Sequence, residues 1–372
     1  MNLLMLLKCN GLAYDDRVRK ESVTLSNIGY DISIHVLEDK NKYSSGVIFN
    51  DSVKFKKYYL ITRELFRGNQ FLILKLLEFF CRFVFSTFKR YDVVWLHDPL
   101  MFVFIPYFYF LKKIGRVDKI VWDQHELPPQ YFLRFGLMRR LYKFSMGVVD
   151  VRIHANEERA LYLNGILEQD YSYKIVRNFV DESFISEKAL PLPKDVLSWL
   201  NGEGYFLLQS GAYEVRNFSY LVEAICTSIK MKCIVVGGYD NDYISNLRSK
   251  YNNFDDLIFF VGMVPQVRLV DYIDEAKASV IFYNNKEPNS LLCEPNRLYQ
   301  AISRGTPVIV GSNPPMARIV NELNCGIVLA NCGSSVETII EAFSEFSKSS
   351  IHVASSAKNK FIWDSQLKVF DL

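Results

Sequence analysis

Residues 293–309 read Cys293-Glu294-Pro295-Asn296-Arg297-Leu298-Tyr299-Gln300-Ala301-Ile302-Ser303-Arg304-Gly305-Thr306-Pro307-Val308-Ile309. This stretch reads as a loop, a helix, a glycine cap at Gly305 and a buried strand from Pro307 to Val310. The same alternation extends outward in both directions. Toward the C-terminus, Gly326 to Leu329 is a further candidate strand; toward the N-terminus come Ala278 to Phe282, Leu257 to Val261, Lys232 to Val236 and Tyr205 to Gln209. An earlier set comprises Leu3 to Leu7, Asp31 to Val36, Asp92 to Leu96, Lys119 to Trp122 and Asp150 to His154. Short apolar runs separated by longer helical stretches argue for βαβ units and parallel sheets.

A chain of 372 residues is longer than the roughly 250 to 300 at which one hydrophobic core stops growing, so two domains are expected. Between the two strand sets, Asn178 to Glu203 is rich in Pro, Ser and acids, which marks a boundary. The expected division is an N-terminal domain at 1–180, a linker at 181–203, a C-terminal domain at 204–355 and a returning helix at 356–372. Each domain is read as α/β, a doubly wound, Rossmann-like parallel sheet. Such folds bind ligands at strand carboxyl ends, so the two sets of loops are expected to face a shared cleft.

Hydrophobic residues at 49% and charged residues at 23% exclude a disordered chain. A net charge of +3 does not call for a nucleic-acid partner. The seven cysteines are scattered without CxxC pairing, which suits free thiols in a reducing, cytoplasmic compartment. Met1 to Lys8 reads as a first buried strand, not a signal peptide. Leu100 to Leu111 is broken by Pro106 and closed by Lys112-Lys113, so no run reaches the roughly 18 to 20 apolar residues of a spanning helix.

The strand-end loops carry the candidate chemistry. Gly11 follows the first strand and precedes a helix, where backbone can approach an anionic ligand; a simple tight turn is the competing reading. His97-Asp98-Pro99 and Asp123-Gln124-His125-Glu126 each place a histidine directly after an apolar strand. Carboxylates beside His125 can set its tautomer and pKa, and a buried structural histidine is the alternative. His154 is read as structural. In the second half, Gly211 leads through Arg216 into a helix, which suits a diphosphate.

These residues resemble a family. Pro295-Asn296-Arg297-Leu298-Tyr299-Gln300-Ala301 followed by Gly305-Thr306-Pro307-Val308-Ile309 looks like the donor-binding helix and strand of family 4-like, GT-B glycosyltransferases. Asp16-Arg17-Val18, Leu96-His97-Asp98, Trp122 to Glu126, Asn178-Phe179-Val180-Asp181, Phe260 to Pro265 and Phe361-Ile362-Trp363 resemble further elements of that family, in its order, over nearly the whole chain. The resemblance implies a GT-B glycosyltransferase with a nucleotide-diphosphate sugar as co-substrate, no cofactor and no metal. His125 and Glu294 become the catalytic candidates. Gly11, Gly211, Arg216, Gly262, Glu287, Asn296, Arg297 and Gln300 become donor-side candidates, and His97, Asp98, Asp123 and Glu126 acceptor-side ones. The family pattern would place acids at Leu292 and Gln300 and a basic residue at Ala212; none stands there. Gln300 can still hydrogen-bond ribose hydroxyls. The missing acids leave open a fold retained for binding or scaffolding alone, and an epimerase on the same plan is a further alternative.

Lys54 to Arg90 contains nine Lys or Arg against two acids, interleaved with phenylalanines, and Tyr131 to Met146 adds four cations without an acid. Such segments suit an anionic membrane surface; a core helix with a solvated charged face is the competing reading. With the family likeness, the expected acceptor is a saccharide, in particular a lipid-linked one presented at the inner face of the cytoplasmic membrane, as in surface-polysaccharide assembly.

Overall fold

The computed structural model describes residues 1–8, 12, 15–37, 53–66 and 71–371, apart from the side chains at 72, 73, 76, 85 and 86. The chain forms two compact units, Met1–Arg177 with Leu367–Leu372, and Asn178–Gln366.

The first unit is built on β1 (Asn2–Lys8), β2 (Asp31–Leu37), β3 (Lys54–Tyr58), β4 (Tyr91–His97), β5 (Val117–Gln124), β6 (Val151–His154) and β7 (Lys174–Ile175). They pair in the order β3-β2-β1-β4-β5-β6-β7, every pair parallel. Leu3 to Leu7 are all buried, as expected where helices cover both faces of a parallel sheet. The edge strand β3 is different. Lys54, Phe55 and Lys56 are exposed, and cations on an edge discourage pairing with another chain. The strand order reverses between β1 and β4, making their carboxyl ends the topological switch point.

The second unit repeats the plan with β8 (Tyr205–Gln209), β9 (Lys232–Val236), β10 (Ile258–Gly262), β11 (Ala278–Ile281), β12 (Val308–Val310) and β13 (Gly326–Val328). Their order is β10-β9-β8-β11-β12-β13, so this sheet switches between β8 and β11. Successive strand residues serve opposite faces: Leu207, Ile234 and Ile281 enter one core cluster, and Phe206, Leu208, Val235 and Val280 the other. The helix Asn296–Arg304 buries Leu298, Tyr299, Ala301 and Ile302 in the first of these clusters. It ends at Gly305, whose φ of +86° and amide bond to the Ile302 carbonyl at 3.0 Å form a left-handed cap.

Residues 181–203 are not a free-standing connector. They form helices Glu182–Ser186 and Lys194–Leu200, and Phe184, Leu192, Val196 and Leu200 are buried in the second unit's core. Near the C-terminus, helix Ser355–Lys358 and the 3₁₀ helix Trp363–Phe370 stand where one returning helix is expected. Lys174 donates to the Val369 carbonyl at 2.9 Å, and Phe370 stacks on Trp95 with centroids 5.9 Å apart, fixing the tail to the first unit. The six described cysteines are all free thiols. Among the described residues no helix is long and apolar enough to cross a membrane.

Candidate active site

In the second unit strands β8 and β9 end in a close backbone crossing. Gly211 (φ +85°) and Gly237 (φ +123°) interlock so tightly that a Cβ on Gly211 would lie 1.8 Å from the Gly238 carbonyl oxygen. No side chain fits there, so main chain alone lines this turn. Arg216 donates to the Gly211 carbonyl at 3.1 Å, and Arg297 to the Gln209 carbonyl at 2.6 Å. Both guanidinium groups lie over the ring of Tyr283, which follows β11, at 5.9 and 4.7 Å from its centroid. Arg297 is 2% exposed. Its Nε and Nη2, and Nε of Arg216, are buried without a hydrogen-bond partner among the described residues. Burial, then the charge of Arg297, pushes Arg216 down to about 10, so it stays protonated at neutral pH. Two adjacent cations, Arg297 buried and Arg216 half-buried, with idle donors form a site that an anion would relieve.

The other donor-side candidates differ in setting. Gln300 is buried and accepts from Gln209 Nε2 at 3.2 Å. Asn296 is half-buried at the first turn of its helix. Gly262 (φ +81°) accepts the Gly237 amide at 2.7 Å, which ties β10 to the glycine turn. Glu287 is exposed. Glu294 is buried and accepts from the Tyr299 hydroxyl, whose ring packs on Phe179 and Phe361.

In the first unit the acceptor-side candidates gather around a carboxylate. Asp123, at the end of β5, accepts two bonds of 2.7 Å from Arg17 Nε and Nη2. His97 Nδ1 lies 3.4 Å and His125 Nδ1 3.6 Å from Asp123 Oδ2. Burial opposes ionisation of Asp123, but Arg17 and the two imidazoles hold it well below the usual carboxylate range. Burial also opposes a charged His125; the Asp123 carboxylate outweighs it and raises that pKa. His97, fully buried, is pushed down by burial. Asp98 is pushed up by burial, accepts the Leu100 amide at 2.8 Å, and has a φ of +82°, a strained backbone for a non-glycine residue. Glu126 is exposed, outside this group. Gly11 lies outside the described residues.

Glu21 is the member that sequence reading missed. It is buried 3.0 Å from Arg17 Nε and 3.7 Å from His97 Nδ1. Burial, then Asp123, pushes it well above the usual range, while Arg17 bonds twice to Asp123. The i, i+4 spacing of Arg17 and Glu21 was the available signal. His97, Asp123 and His125 bring ligand atoms within 4.8 Å of one another. A divalent cation fits poorly there, because both Asp123 oxygens already face the Arg17 guanidinium.

Residues 198–362 match the family model described as glycosyl transferases group 1. No curated protein matches the chain. Among solved structures it is similar to sucrose-phosphate synthase from Thermosynechococcus elongatus, at 16% identity and a TM-score of 0.75 over 100% of this chain and 97% of that one. It is similar to Anabaena HepE in complex with UDP, at 14% identity and a TM-score of 0.71 over 100% and 98%. A third is α,α-trehalose 6-phosphate synthase from Burkholderia multivorans, at 10% identity and a TM-score of 0.65 over 100% and 96%. At these identities the structural likeness speaks to fold, and the family match over the second unit speaks to chemistry. The chain has the GT-B fold, and its second unit carries a group 1 glycosyl transferase domain.

Proposed function

We propose that the enzyme moves a sugar from a nucleoside-diphosphate sugar held by the second unit to a saccharide acceptor held by the first, in the manner of family 4-like enzymes. The observation that carries this reading is the pair of half-buried Arg216 and buried Arg297, with idle donors over Tyr283 at the carboxyl ends of β8 and β11. In the reaction the bond from the sugar's anomeric carbon to the diphosphate breaks, and an acceptor hydroxyl oxygen bonds to that carbon. The hydroxyl proton leaves to the departing diphosphate or to solvent. Charge growing on the diphosphate is what the two arginines and the main-chain amides near Gly211 would stabilise, without a metal. Gln300 and Asn296 would hold the nucleoside side, His125 would face the reacting sugar, and Glu294 or Glu287 would reach its hydroxyls. HepE structures hold UDP and UDP-glucose, which supports a uridine diphosphate sugar as the donor.

The finer reading has a retaining outcome and a lipid-linked saccharide acceptor, with the enzyme peripheral on the cytoplasmic face during surface-polysaccharide assembly. Supporting it, helix Leu72–Thr87 buries Phe79 and Phe83 yet exposes Leu74 and Leu77, so its outward face is apolar amid a basic segment. Incubating the enzyme with UDP-sugars, with and without saccharide acceptors, is the test. UDP release that requires acceptor supports transfer; release independent of acceptor, or none with any donor, contradicts it.

A further inference from the structure

A cavity of about 520 Å³ opens in the second unit, within the roughly 300–1,000 Å³ typical of small-molecule sites. It lies between the segment Glu214 to Tyr220 after β8, the helix Asn241–Arg248 after β9, and Asn284 to Lys286 after β11. The cavity is separate from the arginine pair. Neither Arg216, Arg297 nor Tyr283 lines it. The helix that carries Arg297 covers one face of the sheet, with Leu298 and Tyr299 in one core cluster. The helices beside the cavity cover the other face, with Leu221, Ile244 and Leu247 in the second cluster.

The lining is polar and mostly uncharged. Asn217 and Asn284 are its buried members, 5% and 9% exposed. Each has one end of its amide engaged: Asn217 Nδ2 donates to the Cys332 carbonyl at 2.7 Å, and Asn284 Oδ1 accepts the Lys286 amide at 3.3 Å. The remaining ends are an acceptor, Asn217 Oδ1, and a donor, Asn284 Nδ2, and a hydroxyl group can answer either. The Asn284 amide also bonds to the Val215 carbonyl at 2.9 Å, which fixes the two loops against each other. Ser219, Asn246, Asn285 and Ser334 add neutral donors and acceptors. Half-buried Tyr243 and exposed Tyr220 add two rings. Charge nearly cancels, because Lys286 Nζ lies 3.4 Å from Glu214 Oε1 and Lys250 is the remaining ionised side chain among the described residues of the lining. The arginine site is the opposite case, where positive charge stands ready for an anion.

A matching ligand has many hydroxyls, each both donor and acceptor, little net charge, and an apolar face to set against an aromatic ring. Pyranose sugars combine all three. We propose that this cavity is a second saccharide site, which holds neutral pyranose units of an oligosaccharide apart from the arginine pair. Its use as a hold on an acceptor or product chain rests on the sugar-transfer reading, while the binding itself does not.

The experiment measures saturation-transfer NMR on the full chain, kept in excess UDP, with maltotriose, cellotriose and mannotriose as probes and sorbitol as the open-chain polyol. Saturable binding of at least one trisaccharide is expected, about tenfold tighter than sorbitol. The double variant Tyr220→Ala/Asn246→Leu removes one ring and one amide at exposed positions and should weaken that binding about tenfold or more. UDP affinity and melting temperature should stay unchanged, as the check on folding. Binding undiminished in the double variant would assign the saccharide to another place, equal affinity for sorbitol would remove the ring-stacking argument, and no binding of any trisaccharide would leave a water-filled crevice only; each would overturn the proposal. Failure of the wild-type chain to bind UDP, with the trisaccharide behaving as expected, would remove the sugar-transfer reading and leave this site standing.

Discussion

At its switch-point strand ends the second unit presents two arginines with idle donors against one tyrosine ring. The first unit presents an arginine already neutralised, Arg17 gripping Asp123, with two histidines and a buried Glu21 around them. The topologies are alike, so the difference lies in the side chains placed at equivalent ends. Unsatisfied charge marks a site waiting for an anion, whereas internally compensated charge marks a group built to orient its own histidines.

A large effect is expected from removing the compensation. Asp123→Ala breaks the buried pair with Arg17, leaving Glu21 at 3.0 Å as its remaining acid, and should lower stability by about 3 kcal/mol, read by denaturant unfolding; a loss near zero would mean that the pair contributes nothing to the fold. The mirror change in the second unit is expected to spare the fold and damage the chemistry. Arg216→Ala should slow turnover about 10²- to 10³-fold with little shift in melting temperature, and unaltered turnover would dissolve the contrast between the units.

Acid should also act on the first unit. Burial pushes buried His154 down to about 4. Its neutral form therefore contributes stability that is intact above the ordinary histidine pKa of about 6.5 and is lost as pH falls toward 4, by up to about 3 kcal/mol. His125, raised by Asp123, has the opposite sign: its contribution is complete below the ordinary value and fades as pH rises through the raised one. Unfolding curves between these limits for the wild type and His154→Gln should converge at low pH; parallel curves would show that His154 is not held neutral. Gly211→Ala combines left-handed backbone with a Cβ 1.8 Å from the Gly238 carbonyl oxygen, so it should cost more than the about 1–3 kcal/mol of a strained backbone alone, read by denaturant unfolding. Full stability there would mean that the turn relaxes easily.

Much of this arrangement was legible in the sequence because parallel strands buried on both faces are short continuous apolar runs. Tyr205–Gln209 and Lys232–Val236 stand where their residues predict. The strand Lys54–Tyr58 was not visible, since an edge strand armed with lysines reads as a basic surface segment, and Lys174–Ile175 is too short to carry a pattern. At the site, Arg216 was legible from its place after a strand-end glycine, and Arg297 from the family resemblance of the helix it begins. Sequence could not show that Tyr283 would lie under both of them, nor that Gln209 would pair with Gln300, because those contacts join residues far apart along the chain. The helix Leu72–Thr87 falls between its two sequence readings: one face is core, and the opposite face is apolar as well as exposed.

The most direct measurement is a calorimetric titration of the full chain with UDP in the presence of a chelator, on the wild type and on the double variant Arg216→Ala/Arg297→Ala. Saturable one-site binding that weakens about a hundredfold or more in the double variant is the predicted result. Absent binding in the wild type, or undiminished binding without the two arginines, would contradict the placement of the donor diphosphate at the ends of β8 and β11.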